Sequence, residues 1–235
     1  MLIYLARRFV YVLVLLLNST LLLAGDLADG ISAYDTHQYE KAFQILKPLA
    51  EKGNPEAQRK LGVMFRHGLG VAKNDELAIK WYRSAAEQGH PLAQNSLGIM
   101  YRFGLGVKKN PQEGAYWLGR AATQGNRKAQ ENLGLMYLNG DGIQKDDKKA
   151  AHWLSLAALT GAPNAQLNLG LLYLSGRGMK QNNDQGMKWI HKSAESGFKK
   201  AQIALVKAYR DGLYGLKKDP KKAYYWAEKA GLRYQ

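Results

Sequence analysis

The chain has 235 residues, 46% of them apolar, with 34 Lys or Arg against 19 Asp or Glu and a formal charge of +15. That apolar content excludes a disordered polymer, and the absence of cysteine excludes disulfides, thiolate catalysis and cysteine-ligated zinc. The basic surplus points to an acidic partner, an anionic surface or a solvated basic exterior.

At the N-terminus, Arg7 and Arg8 precede an apolar run from Phe9 to Leu17, then Asn18-Ser19-Thr20 and a second short run ending at Ala24-Gly25. A basic start, an apolar middle and a small-residue end give residues 1–24 the layout of a secretory signal peptide. Leu22 stands where the cleavage rule favours a small residue, so an uncleaved inner-membrane anchor is the alternative. Against an anchor, the 16 residues from Phe9 to Ala24 fall short of the roughly 20 a spanning helix needs. The protein is therefore expected to be exported, periplasmic or secreted. Residues 25–53 are expected to form a degenerate capping unit, with a short first helix in "DLADGISAYDTHQ" and Ala42, Ile45, Leu49 and Ala50 in register on a second.

From residue 54 the chain repeats itself. Ala-Gln begins at 57, 93, 129, 165 and 201, a step of 36 residues. Leu61, Gly62, Phe65 and Trp81 open series with the same step, the tryptophans continuing at Trp117, Trp153 and Trp189, with Trp226 one residue late after an insertion near Tyr214. Within a unit, Ala57, Leu61 and Phe65 share one helix face, and Gly62 on an adjoining edge admits a second helix. Gly68 ends this helix A, and Asp75 is expected to cap a helix B carrying Ala78, Trp81, Ala85 and Ala86 before Gly89 ends it. One such pair leaves its apolar face open, and stacking buries it, which predicts an all-α, right-handed α-solenoid. The tryptophans are expected to fill the space the small residues leave.

The pattern A-Q-x-x-L-G-x-x-Y-x-x-G-x-G-V, then A-x-x-W-x-x-x-A-A-x-x-G, resembles the Sel1-like repeat family, relatives of the tetratricopeptide repeats. The resemblance covers residues 54–235 in five units, the last departing most, with Val206 for the helix A glycine and Tyr214 for the second turn glycine. It implies a non-enzymatic helical scaffold that binds other proteins, whose bacterial members are often exported adaptors in envelope assembly, signalling, peptidoglycan-enzyme control or host interaction. A disulfide-bearing branch linked to penicillin binding or hydrolysis is argued against by the missing cysteines.

Residue-level chemistry is sparse. His37, His67, His90, His152 and His191 occupy unrelated repeat positions, and no zinc-protease, nucleophile-elbow or phosphate-loop spacing appears. In "NGDGIQKDD", Asp141 takes a turn position and Asp146-Asp147 stand where helix B begins, so capping is read in preference to calcium. No metal and no cofactor are expected. Residues 180–235 hold 13 Lys or Arg against 5 Asp or Glu, a balance of +8. Their lysines lie in a turn and a helix start without a recognition module, so nucleic acid is not expected as a partner. An anionic envelope polymer, a membrane surface or an acidic protein is the counterpart if this charge is functional, and regulation of a cell-wall enzyme through such a polymer is the alternative function. Residues that vary between repeats nominate a protein-binding surface: Arg59, Leu167 and Ile203 in one helix A register, and Arg66, Arg102, Leu174 and Arg210 in another. For the leucines and Ile203, burial by solenoid curvature is the competing reading.

Overall fold

The computed structural model describes residues 26–233, so the expected signal peptide or anchor, residues 1–24, lies outside the described residues. Helix α1 runs over 26–35, followed by α2 (Tyr39–Glu51), α3 (Pro55–His67), α4 (Asp75–Glu87), α5 (Pro91–Phe103) and α6 (Pro111–Thr123). Then come α7 (Arg127–Asn139), α8 (Asp147–Leu159), α9 (Pro163–Ser175), α10 (Asn183–Glu195), α11 (Lys199–Asp211) and α12 (Pro220–Lys229). The chain divides into two units, residues 1–109 and 110–235, the division falling between α5 and α6. Within each unit, successive helices pack on one another as antiparallel pairs, the α-solenoid class read from the repeats. Among the described residues no strand occurs, and no helix is long and apolar enough to cross a membrane.

The helix boundaries have local causes. Gly68, Gly104, Gly140, Gly176 and Gly212 end the A helices in the left-handed region, at φ between 68° and 72°. The B helices of the five repeats begin on a side-chain cap, in the first of them one residue earlier than expected: Asn74 Oδ1, not Asp75, accepts the Leu77 N–H at 2.9 Å. Asp146 does the same for Lys149 N–H at 2.9 Å, which leaves Asp147 as the first helical residue, where its charge favours the helix dipole.

What joins one pair to the next is the recurring glutamine. The side-chain amides of Gln58, Gln94, Gln130, Gln166 and Gln202 donate to the carbonyls of Ala50, Ala86, Ala122, Ala158 and Ala194 at 3.0–3.1 Å. Each acceptor sits in the last turn of the preceding B helix and also takes the N–H of the glycine three residues on, Gly53, Gly89, Gly125, Gly161 or Gly197, at 3.0–3.1 Å. The glutamines are buried, so each bond satisfies a side-chain amide that water cannot reach.

The packing within a pair corrects the expected role of the tryptophans in part: Trp117 and Trp226 are buried, as expected, and the other three are not. Trp81, Trp153 and Trp189 are half-buried, whereas the residues one place on, Tyr82, Leu154 and Ile190, are at most 2% exposed. These are the side chains that fill the space beside the helix A glycine. A Cβ added to Gly62 would lie 2.7 Å from the Tyr82 ring, one on Gly134 2.8 Å from Leu154 Cγ, and one on Gly170 2.7 Å from Ile190. The N-terminal pair repeats the arrangement with Gly30 against Leu46 at 2.7 Å, and it is Leu46, not Ile45, that reaches the core. The last repeat inverts it: Val206 replaces glycine and Ala227 replaces the large residue, both buried in one cluster.

This large-against-none packing predicts the effect of a single methyl group. Gly134 has ordinary helical geometry, so alanine there gains helix propensity, about 0.5–1 kcal/mol, but overpacks Leu154 at a typical cost of about 1–3 kcal/mol. Gly134→Ala should lower the free energy of urea unfolding. Leu154→Ala, about 2–5 kcal/mol on its own, should cost less in the Gly134→Ala background. Additive effects would show that these two residues do not share the space.

Candidate functional site

In the second unit, α7, α9 and α11 are the A helices of successive repeats, and a groove runs along them. One part, about 470 Å³, is bordered by Leu138, Asn139, Asn168, Leu171, Ser175 and Tyr214. The adjoining part, about 260 Å³, is bordered by Leu171, Met187, Lys200, Ile203, Lys207 and Tyr214. Leu171 and Tyr214 belong to both and remain 42% and 40% exposed. Leu171 faces the groove because it is turned about 200° around the helix from Leu169, which is buried.

The walls are held by local bonds. Ser175 Oγ donates to the Leu171 carbonyl at 2.8 Å, Asn168 Nδ2 to the Asn164 carbonyl at 2.8 Å, and Gln181 Nε2 to the Leu174 carbonyl at 2.8 Å. Arg177 donates from Nε and a terminal nitrogen to the Asp147 carboxylate at 2.9 and 2.6 Å. That pair holds both residues at the solvent edge, and Asp147 lies below the usual carboxylate range because of the Arg177 bond. Asp146 and Asp147 of "NGDGIQKDD" are thus occupied as a helix cap and as an arginine partner.

The first unit uses its charges internally. Glu56 accepts from Arg59 Nε at 2.9 Å and from a terminal nitrogen at 2.5 Å, and lies 2.8 Å from His90 Nε2. His90 Nδ1 accepts the Ala93 N–H at 3.4 Å as the cap of α5, so Nε2 carries the proton given to Glu56. Burial pushes the Glu56 carboxyl up, but the Arg59 and His90 bonds outweigh it and hold the group at about 2. Lys60 is buried, paired with Asp35 at 3.1 Å and set 3.9 Å over the Tyr34 ring.

Comparison with known proteins places this architecture. Sel1 repeats match over residues 55–90, 91–126, 127–161, 163–198 and 200–233. The chain belongs to the Sel1 repeat family. Similar solved structures include a Sel1 repeat protein from Oxalobacter formigenes, 36% identical with a TM-score of 0.82, covering 87% of this chain and 84% of that one. Another is c5321, a protective antigen present in uropathogenic Escherichia coli strains, 29% identical with a TM-score of 0.84; the match covers 89% of this chain and 46% of that one. Pseudomonas aeruginosa pilF, at 17% identity with 88% and 89% of the two chains covered and a TM-score of 0.64, shares the fold alone. A search of curated proteins returned no match. Sel1 repeat folds serve in general as scaffolds for protein–protein interaction.

The seven residues nominated by repeat variation fall into different settings in this Sel1 repeat protein. Ile203 borders the groove. Leu174 is 5% exposed and packs over Gly186, where an added Cβ would lie 2.6 Å away, and it forms part of the groove floor. Leu167, 7% exposed, belongs to the same core cluster as Met187 and Ile190, so neither leucine is a surface anchor. Helix α9 is apolar on almost every side, which hid its buried face from a reading by variation alone. Arg59 is the brace for Glu56 and not a surface cation. Arg66 is half-buried, Arg102 stacks at 4.8 Å on the Phe103 ring, and exposed Arg210 pairs with its neighbour Asp211 at 2.8 Å. Leu171 and Tyr214, which border both parts of the groove, were not among the seven, although the insertion beside Tyr214 marked the place.

The Glu56 cluster predicts a pH dependence. A carboxyl held at about 2, against 4.5 for the group alone, contributes stability in full above about pH 4.5 and loses it as pH falls toward 2. Glu56 is partly exposed, so the screened contribution is about 1–2 kcal/mol. Urea unfolding followed from pH 6 to 2 should show a smaller drop in Glu56→Gln than in the wild-type chain, and equal slopes would contradict the assignment.

Proposed function

We propose that this protein is an exported, non-enzymatic adaptor that holds a partner protein in the groove of its second unit. The carrying observation is the exposure of Leu171 and Tyr214 where the two parts of the groove meet. A concave surface with apolar anchors and a polar rim suits recognition of another chain. Ser175 spends its hydroxyl on its own helix and Arg177 is tied to Asp147, so these walls suit binding better than chemistry. The family's general role as a scaffold supports the same reading. Export rests on the layout of residues 1–24.

A photo-crosslinking residue at position 171 should capture a protein that one at exposed position 159, on α8, does not. Once that protein is purified, Leu171→Arg should weaken its binding by at least about tenfold without lowering thermal stability. Equal capture from both positions, or unchanged affinity in Leu171→Arg, would place the interaction elsewhere. Cell fractionation with a C-terminal tag should find the protein outside the cytoplasm, shortened by about 24 residues if the signal is cleaved. A soluble cytoplasmic pool of full length would count against export.

A second reading, control of a cell-wall enzyme through an anionic polymer, is favoured by the exposure of Lys217, Lys218, Lys221 and Lys222. Retention on purified cell wall that is released by salt would support it, and no retention at low salt would end it.

A further inference from the structure

The final turn departs from the others in a way that equips the groove. In the earlier turns, the second glycine rests against the start of the preceding B helix. A Cβ on Gly70 would meet the Tyr39 backbone at 2.5 Å, one on Gly106 would meet Asp75 at 2.5 Å, and one on Gly178 would strike the Asp147 backbone. After α11 the chain is one residue longer, and the position two after the helix-ending glycine is Tyr214. Gly215, one residue on, would meet nothing within 4 Å of an added Cβ, and Leu216 returns to the core cluster. Tyr214 stands in this turn at φ 58°, a left-handed conformation that a tyrosine adopts only under strain. Glycine would satisfy that backbone at no steric cost. Instead, an aromatic ring borders both parts of the groove.

The electrostatics of the same place are one-sided. The charged side chains bordering the groove among the described residues are Lys200, Lys207 and Arg177, and Arg177 is already paired with Asp147. Lys200 and Lys207 are exposed and stand seven residues apart on α11, on one face two turns from each other, beside Ile203. Between them and Leu171 lies apolar surface from Ile203, Ala204 and Leu213. Two cations flanking an apolar trough are complementary to a chain that presents aliphatic side chains inward and carboxylates toward α11.

We propose that the groove binds an acidic amphipathic segment of a partner protein, with Tyr214 as the platform for its apolar anchor and Lys200 and Lys207 as the counter-charges for its carboxylates. This rests on the adaptor reading and specifies the chemistry of the partner. Tyr214 keeps a strained backbone because its ring is what the anchor packs against. The lysines select for sign and hasten encounter at low salt.

The test uses the full chain and a short fluorescein-labelled peptide with two leucines one helical turn apart and glutamates on either side. Binding is read by fluorescence anisotropy at low and high salt. The Glu peptide should bind and weaken with salt, and its Leu→Ser and Glu→Lys versions should bind at least about tenfold more weakly. Tyr214→Gly and the double variant Lys200→Glu, Lys207→Glu should each lose about tenfold or more. Tyr214→Phe should retain the affinity, because the ring remains. Tyr214→Gly is suited to its backbone, so its thermal unfolding should match or exceed that of the wild-type chain, which separates loss of the ring from loss of the fold. Equal binding of acidic and basic peptides, wild-type affinity in Tyr214→Gly, or no binding of the Glu peptide would each overturn the proposal. If the peptides fail while the crosslink from position 171 persists, the partner chemistry is wrong and the groove stands; if both fail, the adaptor reading falls with it.

Discussion

The bond from the repeat glutamine to the last turn of the preceding B helix is the constraint on which the rest of the structure depends. At each B-helix end the carbonyl of Ala50, Ala86, Ala122, Ala158 or Ala194 takes one turn N–H, from Gly53, Gly89, Gly125, Gly161 or Gly197, and keeps a second lone pair for the next helix. Gln58, Gln94, Gln130, Gln166 and Gln202 each use that lone pair with one buried side-chain amide, which would otherwise lose its water for nothing. The bond constrains the approach of one pair to the next, because a buried amide donor is satisfied only within a narrow range of distance and angle. Close approach inside each pair then requires a missing side chain on helix A, which the glycines at 62, 134 and 170 supply.

These requirements divide the sequence into residues bound to the scaffold and residues left over. Tyr82, Leu154 and Ile190 complete the pairs, and the last repeat shows that the rule concerns volume and not residue type, since Val206 with Ala227 distributes the same bulk in reverse. The Glu56, Arg59 and His90 cluster and the Lys60 pair likewise turn polar side chains into structure. Among the residues left over, Leu171, Ile203, Lys200, Lys207 and Tyr214 come together along one groove of the second unit.

The repeat period, the helical class and the A-helix ends at glycine were all readable from spacing, because backbone punctuation is local. Trp117 and Trp226 are buried as expected, whereas Trp81, Trp153 and Trp189 misled because neighbouring residues on a helix are only about 100° apart, and a conspicuous residue drew attention from the one beside it that enters the core. The cap at Asn74 was displaced by one residue for a similar reason: Asn74 and Asp75 are both good caps, and which is used depends on where the backbone turns. The nominated binding residues fared unevenly. Variation between repeats flagged Arg59, Leu167 and Leu174, but variation also marks compensated packing, and the three-dimensional neighbours Glu56, Met187 and Gly186 account for them. Tyr214 was visible as a broken repeat, yet its place on the groove required coordinates.

The central claim is that the repeated joints carry structure and that recognition belongs to the place where the repeat is broken. Amide hydrogen exchange of the full chain with and without the acidic amphipathic peptide tests it most directly. The account predicts added protection confined to the second half of α9, to α11 and to the turn from Gly212 to Leu216. Protection centred on the regular turns at 68–74 or 104–110, or no change anywhere at saturating peptide, would contradict it.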